Sequence, residues 1–142
     1  MADDSISDFA RSMGIATSGL RAQAGRMRVI SENIANADST GTSAGADPYR
    51  RKIPTFTSQL DRTLDAKTVN MGKIAPDNSA FRTKYEPSNP AADRNGYVKY
   101  PNVNPLIEMT DMREAQRSYE ANLNIIGATR RMIQRTLDIL KA

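Results

Sequence analysis

The side chains that could do chemistry in this 142-residue sequence are carboxylates, Lys, Arg, Tyr and Ser, because it contains no His and no Cys. Without His it lacks the commonest general base, the commonest metal ligand and every Ser-His or Cys-His nucleophile. Without Cys it can form neither a disulfide framework nor a thiolate zinc site. What remains is acid–base work by carboxylates, and no pair stands out. Asp111 and Glu114 are three residues apart, a spacing that ordinary solvated helices share. Tyr119 falls on an apolar seam and reads as core rather than as a catalytic phenol. Asp93 and Glu108 are the carboxylates on which a histidine-free hydrolase would be tested. Glycine-rich phosphate loops are absent. The sequence is expected to be no enzyme, with no catalytic residue, no metal site and no cofactor.

The elements that would position any such group are two long helices. Ile6, Phe9, Met13, Ala16, Leu20, Gln23, Met27, Ile30 and Ile34 step by threes and fours near the N-terminus. Met109, Met112, Gln116, Tyr119, Leu123, Ile126, Arg130, Ile133, Leu137 and Leu140 do the same near the C-terminus. Such spacing lays an apolar seam along one side of a helix, as in a coiled coil. A second stripe recurs every seventh residue, at Ile15, Ala22 and Val29 and again at Ile125, Met132 and Ile139. Two stripes per helix favour more than one neighbour. The polar seam residues Gln23, Gln116 and Arg130 either set register or lie at a wet edge.

The first helix is expected from Asp4 or Ser5 to about Ala35, roughly 45 Å long. Asn36, in a left-handed conformation, would close it. The second is expected to be capped by Asn104, with Pro105 as its first helical residue. Gly14, Gly19, Gly25 and Gly127 lie inside these helices. They are either locally tolerated or a sign that the helices are weak until packed in an assembly.

Six of the seven prolines fall between residues 48 and 101, so the middle cannot be a long helix. Tyr49–Phe56, Thr68–Ile74, Phe81–Tyr85 and Gly96–Tyr100 read as short extended pieces. The cluster Arg50-Arg51-Lys52 reads first as solvated surface and second as a contact to an acidic neighbour. The expected fold is mainly α: terminal helices (1–36 and 105–142) packed as a coiled-coil-like pair, with a Pro-rich, strand-containing insert (37–104).

Only 39% of residues are hydrophobic and Trp is absent, so a single compact core would be thin. The net charge of +4 is small, and the excess base is scattered mostly through the insert, which argues against nucleic acid. No apolar run approaches the length that spans a bilayer, and no basic n-region with an apolar h-region opens the chain. The expectation is a cytoplasmic protein, or one exported by a route that uses no such signal.

The margins of the helices carry a resemblance. Ser18-Gly19-Leu20-Arg21-Ala22-Gln23, followed by Val29-Ile30-Ser31-Glu32-Asn33-Ile34-Ala35-Asn36-Ala37-Asp38-Ser39-Thr40, resembles the N-terminal motif of bacterial flagellar rod, hook and hook-filament junction proteins. Asp47–Lys52, Tyr85–Asp93 with Gly96-Tyr97-Val98, Pro101–Met109 and Arg117–Asn122 narrow the resemblance to the proximal rod proteins of this axial family. The link from Ser39 to Pro48 is longer than the Thr-Pro-Gly-Tyr type found in many axial relatives.

The resemblance implies a structural subunit of the basal-body rod, the drive shaft that crosses the periplasm and transmits torque from motor to hook. It implies export through the flagellar type III apparatus without a cleaved signal. The terminal helices would form an inner tube around the export channel, and the insert would decorate the outside. The implied partners are the chain itself, the rod proteins FlgB, FlgF and FlgG, the adaptor FliE and the ring protein FliF. The seam residues Phe9, Met13, Leu20, Met27, Ile30, Ile34, Met109, Met112, Tyr119, Leu123, Ile126, Ile133, Leu137 and Leu140 would form the assembly interface. The alternative is a soluble helical adaptor that binds a partner through its amphipathic helices.

Overall fold

A computed structural model describes residues 2–141, with side chains from residue 7 onward. Helix α1 (Ala2–Ala35) is followed by strands β1 (Lys52–Ile53), β2 (Phe56–Asp61), β3 (Ala66–Met71), β4 (Ala75–Pro76), β5 (Arg82–Tyr85) and β6 (Tyr97–Tyr100), and then by helix α2 (Pro105–Lys141). The strands form three antiparallel pairs, β1 with β4, β2 with β3 and β5 with β6. Among the described residues no helix is long and apolar enough to cross a membrane.

The helix ends follow local chemistry. Helix α1 starts at Ala2, earlier than its expected cap at Asp4 or Ser5. Asn36 closes α1 by another route than the left-handed backbone expected of it. Among the described non-glycine residues only Asp65 has positive φ. The Asn36 backbone N–H and side-chain amide both donate to the Glu32 carbonyl, at 3.2 and 2.8 Å. At α2 the expected cap is present: the Leu106 N–H donates to Asn104 Oδ1 at 3.1 Å, and Pro105 needs no partner for an N–H it lacks.

The chain divides into two compact units, each drawing on both helices. The first holds α1 through Arg26, residues Thr55–Lys73 and α2 from Glu114 onward. Here the β2–β3 hairpin lies along α1. A Cβ at Gly14 would overlap Leu64 Cδ1, and one at Gly25 would overlap Met71 Sδ. These two glycines are notches that seat the hairpin. Between them the Val69 N–H donates to Ser18 Oγ at 3.2 Å, and at the hairpin tip Arg11 Nε donates to the Leu64 carbonyl at 3.0 Å. Helix α2 lies antiparallel to α1 in this unit. Gly19 faces the Asn122 amide, and Arg26 pairs with Glu114 at 3.4 Å. The glycines are thus mostly sites of close approach, which neither sequence reading anticipated. Gly127 differs: a Cβ there would make only an ordinary contact, with Arg131 Nη1 at 3.6 Å.

The second unit holds Met27–Pro54 and Ile74–Arg113. Its core is Val29, Ile30, Ala37, Ala91, Val98 and Val103, with Pro101 also buried. The buried residues of the first unit, Ala16, Ala22, Ala115 and Thr129, are all small, so its core is thin. Gly96, at φ 83, closes the turn before β6, and its N–H donates to the Asp93 carbonyl at 3.0 Å.

Of the expected extended pieces, Phe81–Tyr85 and Gly96–Tyr100 correspond to β5 and β6, and Thr68–Ile74 overlaps β3. Tyr49–Phe56 contains only the two-residue β1 and the first residue of β2. The rest of β2 was not expected, because Thr57-Ser58-Gln59 shows no apolar alternation.

Candidate assembly surface

Helix α2 turns one stripe inward and leaves many of its larger apolar side chains exposed. In the first unit Ala115, Tyr119, Asn122, Ile126, Thr129, Ile133 and Thr136 are buried or half-buried at spacings of three and four, with Ser118, Gly127 and Ala128 half-buried beside them. Only some of these belong to the expected seam. The inward stripe alternates apolar residues with Ala, Asn and Thr, and its Asn122 lies against Gly19 of α1. The flank on one side of this stripe carries Leu123 and Leu137, both exposed. The other flank carries Ile125, Met132 and Ile139, also exposed. Leu140 and, at the start of α2, Leu106, Ile107 and Met109 are exposed as well, with Leu106 at 73%. A monomeric soluble protein rarely leaves so many large apolar groups in rows.

The secondary stripe divides unequally. On α1, Ala22 and Val29 are buried within the subunit and only Ile15 is exposed. On α2 all three members face outward. Most of the α1 stripe is therefore spent inside the chain.

The residues expected at the interface lie at three depths. Met109, Leu123, Leu137 and Leu140 are exposed. Phe9, Met13, Leu20, Met27, Ile34, Met112, Tyr119, Ile126 and Ile133 are half-buried. Ile30 is buried in the second unit. The side chain of Ile6 lies outside the described residues. Phe9, Ala10 and Met13 meet Ile133, Thr136, Leu137 and Leu140 around an apolar cavity of about 210 Å³. Gln116 and Arg130 are exposed, which is the wet-edge reading. Gln23 Oε1 is buried without a hydrogen-bond partner.

The basic cluster is where sequence reasoning missed most. Lys52 Nζ pairs with Glu32. Arg51 Nε donates to Glu108 Oε1 at 2.6 Å, and Arg51 reaches Asp77 at 3.4 Å and Asp111 at 3.8 Å. The Arg50 guanidinium stacks 4.2 Å over the Phe81 ring and donates to the Asp77 carbonyl at 2.9 Å. The solvated-surface reading is therefore corrected. The acidic neighbours belong to the same chain, and the spacing of lone acids along α1 and α2 gave no sign of them.

Asn33 completes this network and explains part of the N-terminal motif. It is fully buried on α1. Its amide donates to the Lys52 carbonyl at 2.8 Å and to Glu108 Oε2 at 3.1 Å. Its Oδ1 accepts from the Lys52 N–H at 2.9 Å and the Tyr49 hydroxyl at 2.8 Å. Asn102 adds a third tie, accepting from the Arg51 N–H at 2.8 Å and donating to the Asp77 carbonyl at 2.9 Å. Burial, with the charges of Glu32 and Glu108 nearby, pushes the Tyr49 phenol up to about 12.

The carboxylates considered for catalysis are employed structurally. Glu108 is bound as described. Asp93 Oδ1 accepts from the N–H groups of Asn95 and Tyr97 at 2.8 and 2.9 Å, which shapes the turn before β6. Glu86 accepts from Lys84, Asn89 and Tyr100, which together hold its carboxyl at about 2. Asp111 and Glu114 go to different arginines, Arg51 and Arg26.

Comparison with known proteins agrees with this picture. Residues 13–41 match the family described as "Flagella basal body rod protein", and residues 94–139 match "Flagellar basal body rod FlgEFG protein C-terminal". The chain is 57% identical over 128 residues to the flagellar basal-body rod protein FlgC of Agrobacterium fabrum, covering 90% of this chain and 92% of that one. It is 38% identical to FlgC of Bacillus subtilis, over 92% of this chain and 97% of the relative. It is 39% identical to FlgC of Salmonella typhimurium, over 88% and 92%. Small inward residues, a self-contained polar network and exposed apolar flanks describe a subunit made for packing, and the chain belongs to the FlgC family of structural proteins of the flagellar basal-body rod.

Proposed function

We propose that this chain is a subunit of the proximal rod, and that α1 and α2 act as a coiled-coil-like pair in an inner tube around the export channel. The terminal segments 1–36 and 105–142 would build the tube, with the insert 37–104 on its outside. In that position the subunit transmits torque from motor to hook where the rod crosses the periplasm. Its neighbours would be further copies of itself, FlgB, FlgF, FlgG, FliE and the FliF ring. It would arrive unfolded through the flagellar type III export apparatus, without a cleaved signal.

The observation that carries this reading is the pair of exposed apolar flanks on α2. A shaft that resists torsion needs each subunit gripped from more than one side. A helix that holds Leu123, Leu137, Ile125, Met132 and Ile139 exposed beside its inward stripe supplies such grips. The seam residues Leu123, Leu137 and Leu140 belong to the proposed interface, and the half-buried members from Phe9 to Ile34 and from Met112 to Ile133 support it from within.

Leu123→Asp tests the proposal in cells. The expected result is a folded subunit that is missing from purified basal bodies, in a non-motile strain. Wild-type swimming would overturn the assembly role of this flank.

A further inference from the structure

Strand β2 is the exposed strand whose edge carries no guard. Five of its six residues are exposed, from Phe56 through Leu60. Its partner β3 presents its outer edge to α1, where the Val69 N–H donates to Ser18 Oγ, and it carries Lys67. Among the described residues no strand pairs with the outer edge of β2. Edge strands are normally blunted by Lys, by Pro, by shortness or by a covering element. Strands β1 and β4 have two residues each, β5 carries Arg82 and Lys84, and β6 carries Lys99. Strand β2 reads Phe-Thr-Ser-Gln-Leu-Asp. Its single charge is the last residue, and Asp61 Oδ1 is occupied by the N–H groups of Thr63 and Leu64 in the turn.

The hairpin is also stiff enough to act as a template. Asn70 Nδ2 donates to Gln59 Oε1 at 2.8 Å, Thr68 Oγ1 to the Gln59 carbonyl at 3.1 Å, and Thr57 Oγ1 to the Asn70 carbonyl at 3.4 Å. Alternation places Phe56, Ser58 and Leu60 on one face and Thr57 and Gln59 on the other. Phe56 and Leu60 are both exposed.

We infer that the outer edge of β2 accepts an extended segment of an adjacent rod subunit as a third antiparallel or parallel strand. The inference rests on the rod-subunit reading. The segment would be uncharged for about five residues. It would present apolar side chains beside Phe56 and Leu60, and hydroxyl or amide groups beside Thr57 and Gln59. Main-chain hydrogen bonds would supply affinity and the alternate side chains specificity. Pairing of β2 with β2 of a second copy is disfavoured, because that contact is twofold and closed, whereas a shaft grows by head-to-tail contacts.

The test is hydrogen exchange of the full chain, free and within purified basal bodies, followed peptide by peptide. Amides in 56–61 are expected to slow by roughly 100-fold on assembly, while those of 67–70, already lodged between β2 and α1, change little. If α2 gains protection and 56–61 does not, the edge inference fails and the rod reading stands. If neither gains protection, the rod reading itself fails. Protection of 56–61 that appears in the free chain on raising its concentration would assign the edge to self-pairing and overturn the proposed occupant. As an independent check, Ser58→Lys places a guard on the edge. It is expected to lower incorporation into basal bodies about tenfold with an unchanged circular dichroism spectrum. Incorporation at the wild-type level by that folded variant would overturn the inference.

Discussion

Arg51 Nε donates to Glu108 Oε1 at 2.6 Å, and the carboxylate it neutralises is only 1% exposed. The pair joins the insert to α2, and Asn33 joins the same carboxylate to α1. Removing the cation leaves a buried anion without its counter-charge. Arg51→Ala is therefore expected to cost about 3–5 kcal/mol, read as a lower urea midpoint. Replacing both residues with Met is expected to cost less than Arg51→Ala alone, because no charge is then stranded. Arg51→Lys should recover only part of the loss, since a point charge cannot also reach Asp77 and Asp111.

This network shows what the sequence left unread. The ends of α2 were legible because Asn104 and Pro105 act through the backbone beside them. The insert's strands were legible where Phe81, Thr83 and Tyr85 alternate and where Pro87, Asn89, Pro90 and Gly96 mark the loop before the last piece. The inward face of α2 was not, because it follows Ala115, Asn122 and Thr129 rather than the largest apolar residues. Hydrophobic periodicity assumes that the apolar side faces the partner helix of the same chain. In a helix that leaves many large apolar groups exposed, that assumption selects a mixture of inner and outer positions. Of the seam residues, Met112, Tyr119, Ile126 and Ile133 are half-buried, whereas Leu123 and Leu137 are exposed. The role of Arg51 was invisible for another reason: its acceptor lies 57 residues away.

The helix glycines give a second prediction. Gly14→Ala and Gly25→Ala should each displace a hairpin side chain, Leu64 or Met71, from its notch. Overpacking of this kind costs about 1–3 kcal/mol, more than the helix-propensity gain of up to about 1 kcal/mol. Gly127→Ala meets only Arg131 Nη1 at 3.6 Å, so it keeps the propensity gain. Thermal melts of the three variants should fall on opposite sides of the parent, with Gly127→Ala above it.

Stability should also fall at both ends of the pH range. Tyr49 has its folded pKa raised from 10.0 to about 12, so the folded state holds the phenolic proton more tightly. Its contribution is full below pH 10 and is lost as pH rises through about 12. Glu86 behaves oppositely. With its folded value lowered from 4.5 to about 2, its contribution is full above pH 4.5 and is lost as pH falls toward about 2. Tyr49→Phe should flatten the alkaline limb of a urea-midpoint profile, and Glu86→Gln the acid limb. A profile unchanged by either variant would contradict these assignments.

The contrast between folding and assembly can be isolated by two aspartates placed eight residues apart on α2. Ala115 is fully buried, so Ala115→Asp puts a carboxylate where the structure accommodates only a methyl group. That variant is expected to unfold at much lower denaturant in isolation, losing several kcal/mol. Leu123 is 46% exposed, so Leu123→Asp can keep its charge in water while the subunit is alone. Its urea midpoint is expected to lie close to the parent, with a cost of about 1 kcal/mol for the buried half of the side chain. Its penalty falls due only when a neighbour covers the flank and strips the water from the carboxylate. The predicted order is therefore reversed between assays in one respect: Ala115→Asp fails before assembly begins, whereas Leu123→Asp passes every test of the monomer and fails in the rod. Equal loss of monomer stability in the two variants would place Leu123 in the subunit's own core and remove the flank from the assembly surface.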